Sequence, residues 1–313
     1  MFALRSLAVS LACFVLLYSL FSVLVVIVWR PLKVLHVAQQ SVAALLFELR
    51  ILPLLASTVI TLVLVVPSFQ RLEPRSHNHE YLGAMPLALG VCALLLIAYG
   101  CFRAVRAQIR STRVVTRWLE GSRPLKTEAY STFIFQSRTE APPLTLVGVR
   151  KPRVLVSESA VALLSRDELN IALRHELQHM KARDNLKKLI FRLCPFPGMA
   201  RLERAWLQAA ELAADDAAVS SQAEALDLAA ALVKLSRLVP VEAAPICAVG
   251  FVAGSLSRRV THLLAWDEAS KERRVRVRTW FVVPLVVATS LLVTIAYGPV
   301  LMLTHDVTEW LIR

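Results

Sequence analysis

Arg174-His175-Glu176-Leu177-Gln178-His179 reads as H-E-x-x-H within a run of helical periodicity. Histidines four apart stand one turn apart on the same side of a helix, so both imidazoles can reach one metal ion. A glutamate directly after the first histidine can then meet a water on that metal. Upstream, Ser165-Arg166-Asp167-Glu168 has the form of a capping box, which predicts a helix starting at Arg166. At about 100° per residue, Leu169, Leu173, Leu177 and Met180 form an apolar stripe, with Asn170, Arg174, Gln178 and Lys181 as a polar stripe beside it. His175 and His179 lie on neither stripe and share their sector with Ile171 and Ala182, while Glu176 falls between His179 and the apolar stripe. Only one sector is solvated, and the imidazoles lie outside it. Buried polar groups need partners, and a metal supplies them.

The motif is short enough to recur by chance, so a third ligand matters. Catalytic zinc usually takes three protein ligands, and beside two histidines the third is often a carboxylate from another helix. Glu211, in Glu211-Leu212-Ala213-Ala214-Asp215, is the candidate. The alanine-rich stretch Arg201–Ser220 allows close backbone approach. Glu211 and Asp215 share a face opposite Leu202, Trp206, Ala209 and Ala213. Two readings of that face are open: a solvated stripe with Arg204 and Gln208, or a buried ligand pair. The flanking Leu207, Ala214 and Ala218 favour burial.

The composition addresses location. Hydrophobic residues make up 56% of the chain, yet its formal net charge is +13 and its mean hydropathy +0.56. That combination argues against an ordinary soluble protein and suits a membrane protein with basic flanks. Apolar runs at about 7–29, 51–67, 84–102 and 279–303 approach or exceed the roughly 20 residues a bilayer demands, so four transmembrane helices are expected. The first is read as an uncleaved span, and Val34–Leu49 as an amphipathic segment along the interface. Arg103, Arg106, Arg110, Arg113 and Arg117 follow the third span, and Lys271, Arg273, Arg274, Arg276 and Arg278 precede the fourth. Both clusters are expected on the cytoplasmic side, which puts both termini outside. Because they abut spans, they read as anchors at anionic lipid rather than as a nucleic-acid stripe.

The expected organisation is therefore a three-helix membrane region (1–110), one cytoplasmic domain (111–270), then a basic segment with the fourth span (271–313). The domain starts with short strands at Thr132–Gln136, Leu144–Val149 and Arg153–Val156, then turns helical, broken at Cys194-Pro195-Phe196-Pro197-Gly198 and around Pro240–Pro245. The five cysteines form no C-x-x-C and read as buried free thiols. His77 and His79 read as a solvated loop pair.

Taken together, Gly148-Val149-Arg150-Lys151-Pro152-Arg153-Val154-Leu155-Val156, Leu164-Ser165-x-x-Glu168-Leu169, His175–Asp184, Glu211-x-x-x-Asp215 and Leu256-Ser257-Arg258-Arg259-Val260-x-x-Leu263-Leu264 resemble the integral-membrane antirepressor metallopeptidases of the BlaR/MecR type. The resemblance covers roughly residues 110 to 275 and implies a gluzincin-like α+β zinc metallopeptidase domain inserted into an α-helical membrane protein. It implies zinc held by His175, His179 and Glu211, with Glu176 as general base. Asp215 would orient a ligand histidine, and Asp184 matches the pattern without a firm role. For the oxyanion partner, Tyr130 and His262 are the candidates. The β-lactam sensors of this type carry a penicillin-binding domain with S-x-x-K after the last span, whereas only Thr304–Arg313 follow Leu303 here. Direct β-lactam sensing is therefore not expected.

These readings converge on a zinc endopeptidase in a bacterial inner membrane that cuts a protein on the cytoplasmic side. The substrate expected from the resemblance is a winged-helix transcriptional repressor. Membrane lipid is the other expected partner, without direct nucleic-acid binding, and homodimerisation stays open. A quality-control or processing protease is the alternative, and a non-catalytic membrane transducer a further one.

Overall fold

A computed structural model describes residues 2–29, 38–72, 83–125, 134–137, 142–238, 253–267 and 297–312. Tyr130, His77, His79, Cys247, the basic cluster at 271–278 and residues 279–296 of the expected fourth span lie outside the described residues.

Three helices are long and apolar enough to cross a membrane: α1 (Phe2–Val28), α2 (Gln39–Leu72) and α3 (Ala84–Leu119). Leu16, Leu20, Leu55, Leu62, Leu94 and Leu95 are exposed on them, as lipid-facing side chains are. α1 packs on α3 closely, where a Cβ on Gly90 would come within 3.3 Å of the Ala8 carbonyl oxygen. α2 differs from the expectation of an interfacial segment followed by a short span at 51–67. It is one helix from Gln39 onward, with a π turn at Thr61–Val65. The apolar face of its first half is covered by protein rather than lipid: Ala43, Leu46 and Phe47 join Phe191, Met199, Leu202 and Trp206 in one core. α3 likewise runs unbroken past Phe102, through the expected boundary at 110, to Leu119. Of the thiols, Cys194 is buried and Cys13 half-buried, but Cys92 and Cys101 are exposed on α3, and all four are free.

After α3 come β1 (Arg123–Pro124), β2 (Ile134–Ser137), β3 (Leu144–Val147) and β4 (Arg153–Ser157) in a mixed sheet of order β1-β2-β4-β3. β2 and β4 are parallel, while β3 and β4 form an antiparallel pair. Gly148 opens the β3–β4 turn at φ 86°, and a Cβ there would meet the Lys151 carbonyl oxygen at 2.8 Å. α4 (Glu158–Leu163) leads into α5 (Arg166–Ala182), α6 (Asp184–Leu193), α7 (Ala200–Ala218), α8 (Gln222–Ser236) and α9 (Ala253–Leu264). α5 and α8 cover the sheet: Leu173, Leu177, Ala231 and Leu235 share a core with Ile134, Leu144, Leu146 and Val154. The last described helix, α10 (Tyr297–Ile312), continues past the expected end of the fourth span at Leu303.

The break at Cys194–Gly198 is gripped by the membrane helices. Tyr18 of α1 donates its hydroxyl to the Pro195 carbonyl at 3.1 Å. On α3, Gly100 faces Leu193 so closely that a Cβ would lie 2.5 Å from its carbonyl oxygen. Arg50, in the middle of α2 and 2% exposed, donates to the carbonyls of Phe191 and Cys194 and reaches the Glu203 carboxylate at 2.8 Å. It thereby satisfies carbonyls at the C-terminal end of α6, where a positive charge is also favoured by the helix dipole. Removing one partner of a fully buried ion pair costs about 3–5 kcal/mol, but Glu203 keeps 32% of its side chain in solvent. Arg50→Met is therefore expected to destabilise the protein by about 2–3 kcal/mol, read as a lowered unfolding temperature in detergent. Glu203→Gln, which retains an acceptor, should cost clearly less.

Candidate metal centre

The helix that carries the motif is fixed at both ends. Ser165 accepts from the Glu168 N–H at 3.2 Å and the Glu168 carboxylate accepts from the Ser165 N–H at 2.8 Å, forming the capping box the sequence predicts. At the other end Arg183 takes the left-handed conformation, φ 55° and ψ 39°, and α6 begins at the next residue. For a residue other than glycine this costs roughly 1–2 kcal/mol. The tight reversal carries Asp184 back alongside α5, where its Oδ2 sits 2.7 Å from His179 Nδ1.

α7 supplies the opposite wall. Its expected stripe divides: Arg204 and Gln208 are exposed, whereas Asp215 is fully buried and Glu211 keeps 14% of its side chain exposed. Asp215 Oδ1 lies 2.9 Å from His175 Nδ1. Glu211 reaches His175 Nε2 at 3.6 Å and His179 Nε2 at 3.7 Å. His175, His179 and Glu211 thus each offer a ligand atom within 4.8 Å of the others. The sequence also singles out His262 and Glu176. His262 turns to Asp216 at 2.8 Å, engaged by a neighbour of Asp215 rather than by the cluster. Glu176 is buried in the cleft, and its Oε2 has no hydrogen-bond partner among the described residues.

This donor set fits zinc. With both Nδ1–H groups turned to carboxylates, the two Nε2 lone pairs face each other across 3.1 Å. Two lone pairs at that distance repel unless a cation or a proton lies between them. Zinc–nitrogen bonds of about 2.0–2.1 Å in a tetrahedron give ligand–ligand edges of about 3.3 Å; the two Nε2 atoms lie close to that at 3.1 Å, and Glu211 brings Oε2 to 3.6 Å from His175 and Oε1 to 3.7 Å from His179. Two nitrogens and one carboxylate leave a fourth position, as in a catalytic rather than a structural site.

Arg259 is a member of the cleft that the sequence analysis did not assign. Its Nε and Nη2 bond both oxygens of Asp215, and its Nη1 reaches Glu211 Oε2 at 2.9 Å. A signal was present: the spacing Leu256-x-x-Arg259-x-x-x-Leu263 places a cation on the apolar face of α9, and a buried cation needs a buried anion.

The charges set the protonation states. Burial pulls His179 down, but the Glu211 and Asp184 carboxylates outweigh it and raise its pKa to about 10. For His175, burial and Arg259 act downward, and Asp215 and Glu211 reverse them to a net rise. Burial pushes Asp215 up, yet Arg259 and His175 hold it at about 2. Against the same burial effect, Arg259 and His179 keep Glu211 well below the usual carboxylate range. The Glu211 and Asp215 carboxylates stay ionised, and without a metal His179 holds a proton in its place.

A family model described as BlaR1 peptidase M56 matches residues 80–263, more than half of the chain and the whole of this centre. No curated protein matches the chain.

Metal uptake must displace the His179 proton. Zinc binding near neutral pH is expected to release at least the His179 proton, and apparent affinity should rise roughly tenfold per pH unit for each proton displaced. Calorimetry in buffers of different protonation enthalpy measures the release; enthalpies independent of buffer would contradict it. The metal-free fold behaves oppositely. His179 has its pKa raised on folding, so its stabilising contribution is complete below the unfolded value of about 6.5 and is lost as pH rises through about 10. Melting temperatures of the metal-free protein across that window should fall.

Proposed function

The chain belongs to the BlaR1 peptidase M56 family, and on that footing we propose that it is a membrane-anchored zinc endopeptidase acting on a protein on the cytoplasmic side. The observation that carries this reading is the convergence of His175, His179 and Glu211 beside a buried Glu176 carboxylate with a free oxygen. A bound zinc ion would polarise the scissile carbonyl and bring the pKa of a water towards ~7. Glu176 would take the proton of the attacking water and deliver it to the leaving amide nitrogen. Asp184 and Asp215 would hold the two imidazoles in the tautomer that presents Nε2, the task that carboxylates beside ligand histidines perform.

The sheet bears on how a substrate chain would lie. β4 is flanked by β2 and β3, so it has no free edge for a peptide; β3 is an edge strand. The Ser157 N–H bonds the Pro143 carbonyl, so in the antiparallel pair the backbone groups of Leu144 and Leu146 point away from β4. Asn185 Nδ2 takes the carbonyls of Leu146 and Gly148 at 3.1 and 3.0 Å. The stretch at Leu144, which also lines the cleft with Leu228, Leu232 and Leu235, is then the part of the edge suited to an extended peptide.

The sequence resemblance motivates a winged-helix repressor as substrate and a bacterial inner membrane as location. A signalling role draws further support from the grip of α1, α2 and α3 on the loop between α6 and α7. Arginines at 103–117 favour the cytoplasmic side for the zinc domain. Membrane lipid and the substrate are the partners this reading requires; nucleic acid is not one.

Glu176→Gln tests it. The variant should keep its zinc and lose cleavage by about 10²–10⁴-fold, the usual share of a general base. Cross-linking to the inactive variant should then retain the substrate for identification. A repressor among the trapped proteins supports signalling, whereas a spread of damaged membrane proteins would favour quality control. Cleavage unchanged by the substitution would overturn Glu176 as the general base, whereas a zinc-loaded wild type that cuts nothing would leave the centre a structural one in a transducer.

A further inference from the structure

Arg259 is 4% exposed and, among the described residues, the one arginine or lysine lining the cleft. α9 delivers it by splitting two neighbouring arginines. Arg258 points outward to Gln208 at 3.2 Å, while Leu263 is anchored in the core with Ile171 and Leu228, which turns Arg259 inward. The guanidinium grips Asp215 as a fork, Nε to Oδ2 at 2.8 Å and Nη2 to Oδ1 at 2.6 Å. Asp215 Oδ1 is also the atom that holds His175 Nδ1. A fully buried carboxylate with a single imidazole partner is free to rotate about its last torsion; one held at both oxygens by a planar fork is not. The third nitrogen, Nη1, bonds Glu211 Oε2 and leaves Oε1 towards His179. Its Nη2 also lies 3.2 Å from His175 Nε2, whose lone pair a metal would need.

We propose that Arg259 is a positioning residue of the metal centre: it locks Asp215 onto His175 and aims Glu211, so the ligand set is assembled ahead of the metal. The inference rests on the zinc reading given above. It makes Arg259 act through Asp215, and it assigns the geometry of the fork, rather than the positive charge alone, as what matters. An ammonium is a point donor that cannot span both oxygens of a carboxylate in this way.

The test is zinc affinity of the full chain in detergent, measured by competition with a chromophoric chelator. Arg259→Gln is expected to weaken zinc binding by about 10–100-fold, the usual effect of losing a group that orients ligands. Arg259→Lys should recover little of it. Asp215→Asn should weaken binding comparably, and the double variant should be no weaker than the weaker single variant, because both changes break one chain of contacts. Circular dichroism and elution volume verify the fold; if Arg259→Gln does not fold, the comparison rests on Arg259→Lys, where at least a tenfold loss supports the inference. Affinity within about twofold of wild type in the folded variant, tighter binding, full rescue by lysine, or losses that add in the double variant would each overturn it. Zinc failing to bind the wild-type protein would overturn the metal-site reading and this inference with it, whereas equal binding by wild type and variant overturns this inference alone.

Discussion

Two imidazole nitrogens, His175 Nε2 and His179 Nε2, face each other across 3.1 Å in a cleft closed to most water. Helical spacing brings the rings together, but it does not decide which nitrogen each presents. Asp184 and Asp215 decide that, one on each Nδ1. Much of the local architecture follows from that need. The left-handed Arg183 exists where the chain must reverse at once for Asp184 to reach back. The alanines of α7 let Asp215 and Glu211 approach α5 closely, and α9 brings a guanidinium against the resulting carboxylates. Buried charges of one sign are tolerable only with the other sign in contact, and here the compensation comes from four separate helices.

The candidate ligands therefore sit on elements that the membrane helices hold from the other side. The loop at Cys194–Gly198 joins α6, which starts at Asp184, to α7, which carries Glu211 and Asp215. Tyr18, Arg50 and Gly100 fix that loop from α1, α2 and α3 in turn. A shift of α2 relative to α3 would pull on the point from which both halves of the site extend. Because the core around Trp206 and Phe191 is packed ring against ring, 5.0 Å between centroids at 85°, α7 would move as a rigid rod rather than bend. The helix that carries Glu211 and Asp215 and the spans α1 and α2 share one packed core.

How much of this was legible in the sequence depends on how local the cause was. The motif helix was readable because its cap, stripes and imidazole sector are all set within eighteen consecutive residues, Ser165–Ala182. The family resemblance was readable for the same reason, in short runs. The burial of Glu211 and Asp215 was readable only as a leaning, since their exposed neighbours Arg204 and Gln208 share the face. Arg50 misled, because a charge inside an apolar run marks a boundary when its partner is unseen; Glu203 lies 153 residues away. Asp184 had no assignable role because its function depends on one backbone conformation at Arg183. The parallel pairing of β2 with β4 was likewise not written in any single strand.

Arg259 shows the limit most directly. A sequence reading that searches for metal ligands looks for histidines, cysteines and carboxylates, and a cation is the residue type it would exclude from the neighbourhood of a metal. The physics runs the other way when the ligands are anionic. Glu211 and Asp215 lie one turn apart on one helix, and Glu176 faces them from another. A divalent ion with two neutral histidines offsets two of these three charges, and the guanidinium offsets the remaining one. On the proposed zinc reading, a permanent cation on Asp215 would leave the metal's own charge available for polarising a carbonyl, instead of being spent on a neighbouring anion. In this chain the cue was the arginine on the apolar face of α9, two helices after Glu211-x-x-x-Asp215.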